Sequence, residues 1–525
     1  MKNSSPAVPT CAAAALFAWA WLAVVSPPQA RASDWPQWGR DQTKNMVSPD
    51  ARNISADFHP GDLTARGDDI DPSTTQHVRW IAKLGSNSYG NPTIAGGRVF
   101  VGTNNDSPRD PKYKGDRSNI YCLDEKTGGF LWQLSVPKLG AGKVGDWEYL
   151  GICSSPTVEG DRLYLVTNRC EVVCLDVAGM ANGNDGPFVE EAKYAAGPGK
   201  PPIPVGPTDA DVIWRFDMAD ELMVFPHNVT SSSVVILGDR VYVTTSNGVD
   251  YSHKHIITPQ APALIALDKK TGELVGEEAS GISRRVMHCN WSSPGAGTVN
   301  GALRLFFGAG DGFCYGFDPN PEPDEDGFGI LNELWRFDCN PSDYRTKDGR
   351  PIKYGKSSGP SEIIATAVFH DGRVYVSIGQ DPEHGEGNGA LSCIDAAGSG
   401  DITQTGRIWQ YTDIDRVIAT ASIADGLLYV ADYAGVIHCL DVATGLPHWT
   451  HDTLGHIWGS TLVADGKVMI GNEDGVFTIL KASKEKSVLG EIEFGGPIYS
   501  SPVVANDTLY VSTMMHLYAI GAEAD

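Results

Sequence analysis

The chain has 525 residues and a formal net charge of −24, from 41 Lys and Arg against 65 Asp and Glu. It is too long for one simple core, which points to several domains or a repeat array. Its acidity argues against nucleic acid and anionic membrane surfaces as partners.

Lys2 followed by the apolar run "CAAAALFAWAWLAVV" (11–25) and the Ala30-Arg31-Ala32 site predicts a signal peptide over 1–32, cleaved near Ala32. Its loss takes Lys2 and Arg31 and moves the charge from −24 to −26. No later stretch reaches 18 apolar residues, so the mature chain is expected to lack a transmembrane segment and to be periplasmic or secreted. Residues 33–75, opening "SDWPQWGRDQTKNMVSPD", have tryptophans and prolines without strand periodicity and read as an irregular segment lying along the domain.

From residue 76 the pattern is all-β. "QHVRWIAKLG" (76–85) reads as one strand around Trp80. After it, units of three or four strand-like runs begin near 90, 154, 231, 292, 365, 419, 459 and 500. Each opens on a motif such as "SSPTVEGDRLYLVT", with alternating apolar residues and Gly/Asp turns, as antiparallel strands require. Third strands often end in Asp before a Thr-Gly turn: "LDEKTG", "LDKKTG", "LDVATG". The eighth unit stops after three strands, and the strand around Trp80 has no unit of its own. The N-terminal strand is therefore expected to complete the C-terminal blade and close a ring. The reading is an all-β, eight-bladed β-propeller of four-stranded blades over 76–521.

Of ten cysteines, Cys122, Cys174, Cys393 and Cys439 share one strand slot, which suits a small buried apolar residue better than a disulfide framework. No C-x-x-C zinc or C-x-x-C-H haem motif occurs. "GAGKVG" (140–145) fits G-x-G-x-x-G, but no helix pattern follows it, so it reads as a loop.

The recurring "SSP…GDR-(V/L)-Y-V" and "LD-x-x-T-G-x-x-x-W" units resemble the quinoprotein-type (PQQ-like) propeller family. Trp80, Trp132, Trp214, Trp335, Trp409 and Trp449 match its blade-docking tryptophan, while the units ending "GELVGEEAS" and "SVLGEIEF" lack one. The family holds both PQQ- and calcium-dependent dehydrogenases and non-catalytic scaffolds. The resemblance implies, for the dehydrogenase alternative, a metal held by Asn247, Asn290 and Glu148 or Glu171, with Trp291 or Trp458 stacked on the quinone. Ser292 stands where the catalytic Asp is expected, and a serine cannot replace a carboxylate as ligand and base. No adjacent Cys-Cys pair occurs either. A third possibility is a hydrolase or lyase using His227, His288 or His384.

In a four-stranded blade the second-to-third loops and the interblade links share one face. The long loops 104–119, 246–262 and 379–389 fall there, with links 145–152, 225–230 and 284–291. That elaborated face is where a protein or small-molecule partner is expected. Tyr89, Cys153, Ser231, Trp291, Ile364, Ile418, Trp458 and Tyr499 precede successive inner strands and should ring the channel mouth. Tyr89, Trp291, Trp458 and Tyr499 would then form either a stacking platform for a flat ligand or a plug for the axis. His253 and His255 have metal-ligand spacing, and Asp381, Glu383 and Glu386 form a short acidic loop able to hold calcium or simply to be solvated. The leading expectation is a non-catalytic binding scaffold; the alternative is the PQQ- and calcium-dependent dehydrogenase.

Overall fold

A computed structural model describes residues 1–2, 33–67, 69–383 and 385–521. The signal-peptide reading and His384 lie outside the described residues.

The repeat closes into eight blades. Blade 1 holds strands Thr93–Ala95, Arg98–Asn104, Arg117–Asp124 and Phe130–Pro137, paired in that order. Blades 2 to 7 repeat the arrangement, their inner strands being Thr157–Glu159, Val235–Leu237, Gly295–Val299, Val368–His370, Ser422–Ala424 and Leu462–Ala464. Blade 8 takes three strands from the C-terminus and its outermost, Val78–Lys83, from the N-terminus. That strand runs antiparallel to His516–Ile520, with Trp80 opposite Ala519 and Lys83 opposite His516. The expected closure is thus present and removes two sheet edges at once.

Two sequence signals explain how the blades dock. Asp124, Asp268 and Asp441 each accept hydrogen bonds from a Thr three residues on, folding the D-x-x-T-G turn. Each docking indole then donates to the backbone carbonyl beside the corresponding turn of the next blade: Trp80 to Glu125 O, Trp132 to Val177 O, Trp214 to Lys269 O, Trp409 to Val442 O, all at 2.9–3.1 Å. The turn glycine is needed twice over. Gly128 has φ +69°, and a Cβ there would lie 2.6 Å from the Trp80 ring. Cys122, Cys174, Cys393 and Cys439 are buried, and none of the nine described cysteines is bridged.

Residues 35–48 of the N-terminal segment are threaded along the innermost strands, and Phe58 beyond them packs on Phe477 and Phe494. Trp35 bridges Ile94 of blade 1, and Pro36 O accepts from Val158 N of blade 2. The chain then crosses to blade 4, where Ala296 N donates to Gln42 O, and to blade 5, where Phe369 N donates to Thr43 O. Asn45 pairs with Ile423 of blade 6, and Val47–Ser48 runs parallel to Val463–Ala464 of blade 7. This crossing carries Trp38 onto the axis, 8% exposed, its Nε1 donating to Thr366 Oγ1 at 3.0 Å. Trp38 is the floor of the channel. Lys44 beside it is fully buried, its ammonium donating to Gln37 Oε1 and Trp38 O, and burial pulls its pKa down to about 7.

Candidate functional site

Above that floor lies a cavity of about 370 Å³, within the range of small-molecule sites. All eight positions expected at the channel mouth line it. They are placed by the chain's own repeat: the second serine of each Ser-Ser-Pro motif, or its counterpart, is locked to the next blade two residues later. Ser155 N donates to Ser233 Oγ, Ser233 N to Ser293 Oγ, Thr366 N to Thr420 Oγ1, Thr420 N to Ser460 Oγ and Ser460 N to Ser501 Oγ, at 2.8–3.0 Å. This girdle fixes the height of the ring residues.

Six aromatic side chains line the vestibule: Trp38, Tyr89, Trp147, Trp291, Trp458 and Tyr499. Tyr89 and Tyr499 stack at 5.1 Å and 16°, and Trp458 leans on Tyr499 at 5.3 Å. Trp458 Nε1 donates to Glu473 Oε2 at 3.0 Å. Among the described residues the charged lining side chains are Asp381 and Glu383, with neither Lys nor Arg. Buried Asn228 Oδ1, also at the lining, accepts no hydrogen bond from the described residues.

On the side of blades 3 to 5, links and long loops bring three histidines together. His227 comes from link 225–230, His288 from link 284–291 and His253 from loop 246–262. His227 Nε2 stands 2.8 Å from His288 Nε2 and 3.1 Å from His253 Nε2. His227 and His288 are buried; His253 is partly exposed and sits at φ 56° in a turn built by Asp250. Asp250 Oδ1 accepts from Ser252 Oγ and from the N–H groups of Ser252, Lys254 and His255, which holds its carboxyl down at about 2, the Ser252 side chain contributing most. His255 itself faces solvent, so it is His253 alone of that pair that joins the cluster.

Behind these rings lies a second layer. His227 Nδ1 meets Val249 O at 2.7 Å. His288 Nδ1 meets Tyr354 Oη at 3.2 Å, with Glu362 and Asp381 carboxylate oxygens at 3.7 and 3.5 Å. Tyr354 donates to Glu362 Oε1 at 2.9 Å and accepts from Asp381 N at 3.1 Å. Glu362 is fully buried, and burial, with Asp381 close by, pushes its carboxyl well above the usual range. Trp291 joins the cluster to the vestibule: it lines the cavity, its Nε1 donates to His227 O at 3.1 Å, and its ring lies 5.0 Å from that of His288. The sequence reading names His227 and His288 with His384 as alternatives, pairs His253 with His255, and misses Tyr354 and Glu362, whose only signal is proximity to the inner strand of blade 5.

The residues implied by the quinoprotein resemblance are placed differently. Asn247 Oδ1 accepts from Phe225 N and Thr258 Oγ1, and Asn290 Oδ1 accepts from Gly310 N. Glu171 is buried between Arg169 and Arg215, with Thr167 and Tyr194 hydroxyls on its other oxygen. Glu148 is exposed, and Ser292 Oγ donates to Ala365 O at 2.8 Å. Calcium needs six to eight oxygens turned toward one point. The oxygens of Asn247, Asn290 and Glu171 are already engaged within the protein, so this donor set does not fit a PQQ-linked calcium ion. In the acidic loop, Asp381 turns toward His288, Glu383 lines the vestibule and Glu386 is exposed.

No curated protein sequence matches the chain. Among solved structures it is similar to BamB from Moraxella catarrhalis, with TM-score 0.51 and 12% identity over 85% of this chain and 98% of that one. It is also similar to the quinohemoprotein alcohol dehydrogenase ADHIIG from Pseudomonas putida HK5, with TM-score 0.56 and 13% identity over 94% and 81%. At such identities the likeness is one of fold. A family model described as outer membrane protein assembly factor BamB matches residues 70–287 and 387–489, leaving out the stretch that carries His288, Tyr354, Glu362 and Asp381. The chain belongs to this PQQ-like propeller family.

Proposed function

We propose that the chain is an exported propeller that binds a small organic cation in its axial vestibule, with the elaborated face as the entrance. One observation carries this reading: six aromatic rings and two carboxylates line a single cavity that no Lys or Arg among the described residues enters. An aromatic face attracts a cation through its quadrupole, by about 0.5–2 kcal/mol per contact, increasingly as water is excluded. Carboxylates at the rim add long-range attraction and would repel anionic ligands. The floor at Trp38 makes the site a blind pocket, which suits binding better than passage.

The test is calorimetry and tryptophan fluorescence on the mature protein, using choline and tetramethylammonium against the neutral isostere 3,3-dimethylbutanol, with glucose as a further comparison. Tighter binding of the cations, by about tenfold or more over the isostere, is the expected result. Equal binding of the isostere, or preference for glucose, would remove the charge from the explanation. Saturable PQQ binding that requires calcium would favour the quinoprotein alternative instead.

A further inference from the structure

We infer that His227, His253 and His288 supply three nitrogens to a site for one divalent transition-metal ion, beside Trp291 in the vestibule wall. The inference starts from where the imidazole protons must be. His227 Nδ1 faces Val249 O at 2.7 Å, and a carbonyl only accepts, so Nδ1 carries the proton and Nε2 a lone pair. Tyr354 gives its own proton to Glu362, so the phenol oxygen accepts from His288 Nδ1, and His288 Nε2 carries a lone pair as well. These two lone pairs meet at 2.8 Å. His253 Nε2 comes to the same point, 3.1 Å from His227 Nε2. Lone pairs held so close repel, and a metal ion among them turns that repulsion into coordination.

The spacing suits a metal. Imidazole nitrogens at about 2.0–2.1 Å from one ion stand about 2.8–3.4 Å apart for angles between right-angled and tetrahedral. All three donors are imidazole nitrogens, which suit zinc, copper or nickel and not calcium or magnesium. The outer partners follow the pattern of metal-bound histidine, in which the distal N–H is pinned to a carbonyl, hydroxyl or carboxylate that fixes tautomer and ring plane. His227 and His288 are held by the fold itself, and His253 on its partly exposed loop is the ligand through which an ion would enter. Among the described residues, these three imidazoles are the nitrogen donors that converge on this point. The other acidic grouping, Asp176, Asp185 and Asp211, shows no such arrangement: Asp211 Oδ2 accepts from Asp185 N, and Asp176 is paired with Arg162.

The experiment uses the mature protein stripped with chelator and titrated with Zn²⁺, followed by Co²⁺ for its visible spectrum. One Zn²⁺ per chain is expected, together with Co²⁺ bands of a nitrogen-rich site. His253→Ala should weaken Zn²⁺ binding at least about 100-fold while leaving the melting temperature of the stripped protein nearly unchanged, because His253 is only partly buried. His255→Ala should bind as the parent does. Absence of stoichiometric binding, or His253→Ala binding Zn²⁺ like the parent, would overturn the site. So would an imidazole proton shared between His227 and His288 that persists in NMR spectra at saturating Zn²⁺, since a proton would then occupy the gap. Cation binding by the stripped protein is measured separately, so a failed metal site and a failed vestibule reading give different results.

Discussion

The vestibule has two unlike halves built on the same repeat. On the side of blades 6 to 8 the second-to-third connections are four, four and three residues, 432–435, 472–475 and 513–515. Asp432 and Asn472 fold the first two by accepting from the N–H of Val436 and Val476, and Gly435 and Gly475 supply φ +106° and +85°. From these turns Tyr433 and Glu473 reach only as far as Trp458, and the wall is left to the ring residues Trp458 and Tyr499, with Tyr89 beyond. Blades 3 and 5 instead carry loops 245–263 and 379–389, and these with the neighbouring links deliver imidazoles and carboxylates. The scaffold positions are equivalent; loop length decides whether a blade contributes a ring face or a ligand atom.

The comparison breaks first at the floor the two halves share. Trp38→Ala should cost about 3–5 kcal/mol, the range for a buried Trp truncation, and should open the vestibule toward the opposite face. Denaturant unfolding measures the cost, and both cation and Zn²⁺ binding should weaken together. An unchanged midpoint would mean that segment 33–75 docks without its axial anchor.

Lys44 tests the same floor through pH. Its folded pKa, about 7, lies below the ordinary 10.5 because burial outweighs the attraction of Asp41. Between those values the unfolded chain binds more protons, so stability should climb as pH rises from 7 toward 10.5, and the full penalty is present below 7. Lys44→Met should therefore be more stable than the parent by about 2–3 kcal/mol at pH 6, after subtracting two lost hydrogen bonds. The gap should close at about pH 9 and reverse by pH 10.5, where the charge penalty is gone and the two lost hydrogen bonds remain. A gap independent of pH would place the effect in packing alone.

Much of this is legible in the sequence, and for a physical reason. The blades, the closing strand, the docking indoles and the eight ring residues all recur, so each is read several times. The histidine cluster occurs once. His227 and His288 are 61 positions apart and meet through the links between blades, where no period constrains the sequence. Spacing suggested His253 with His255, yet the Asp250 turn sends one inward and the other to solvent. Segment 33–75 was expected along the ring, but its path through the axis depends on pairing with strands hundreds of residues away.

Glu362→Gln sharpens the contrast from the metal side. The amide keeps the volume but changes what Tyr354 and Cys289 N can bond, which loosens the hold on His288 Nδ1. Zn²⁺ affinity should fall about 10–100-fold, as for outer-shell partners generally, with cation binding preserved. Equal losses of both would show that the halves are one site.

Trp458→Ala is the complementary change and the smallest. Its indole lines the cavity and contacts Tyr499, Tyr89 and Tyr433, so truncation removes ring face from a wall that retains other aromatics. Organic-cation affinity should fall about tenfold, while Zn²⁺ binding stays where it was. Because the indole Nε1 also donates to Glu473, the loss has two possible sources: the ring face, or a carboxylate released from its partner. Trp458→Phe separates them, since it keeps a face and removes the N–H. If Phe restores most of the affinity, the face binds the cation; if Phe behaves like Ala, the Trp458–Glu473 hydrogen bond is what shapes the aromatic half.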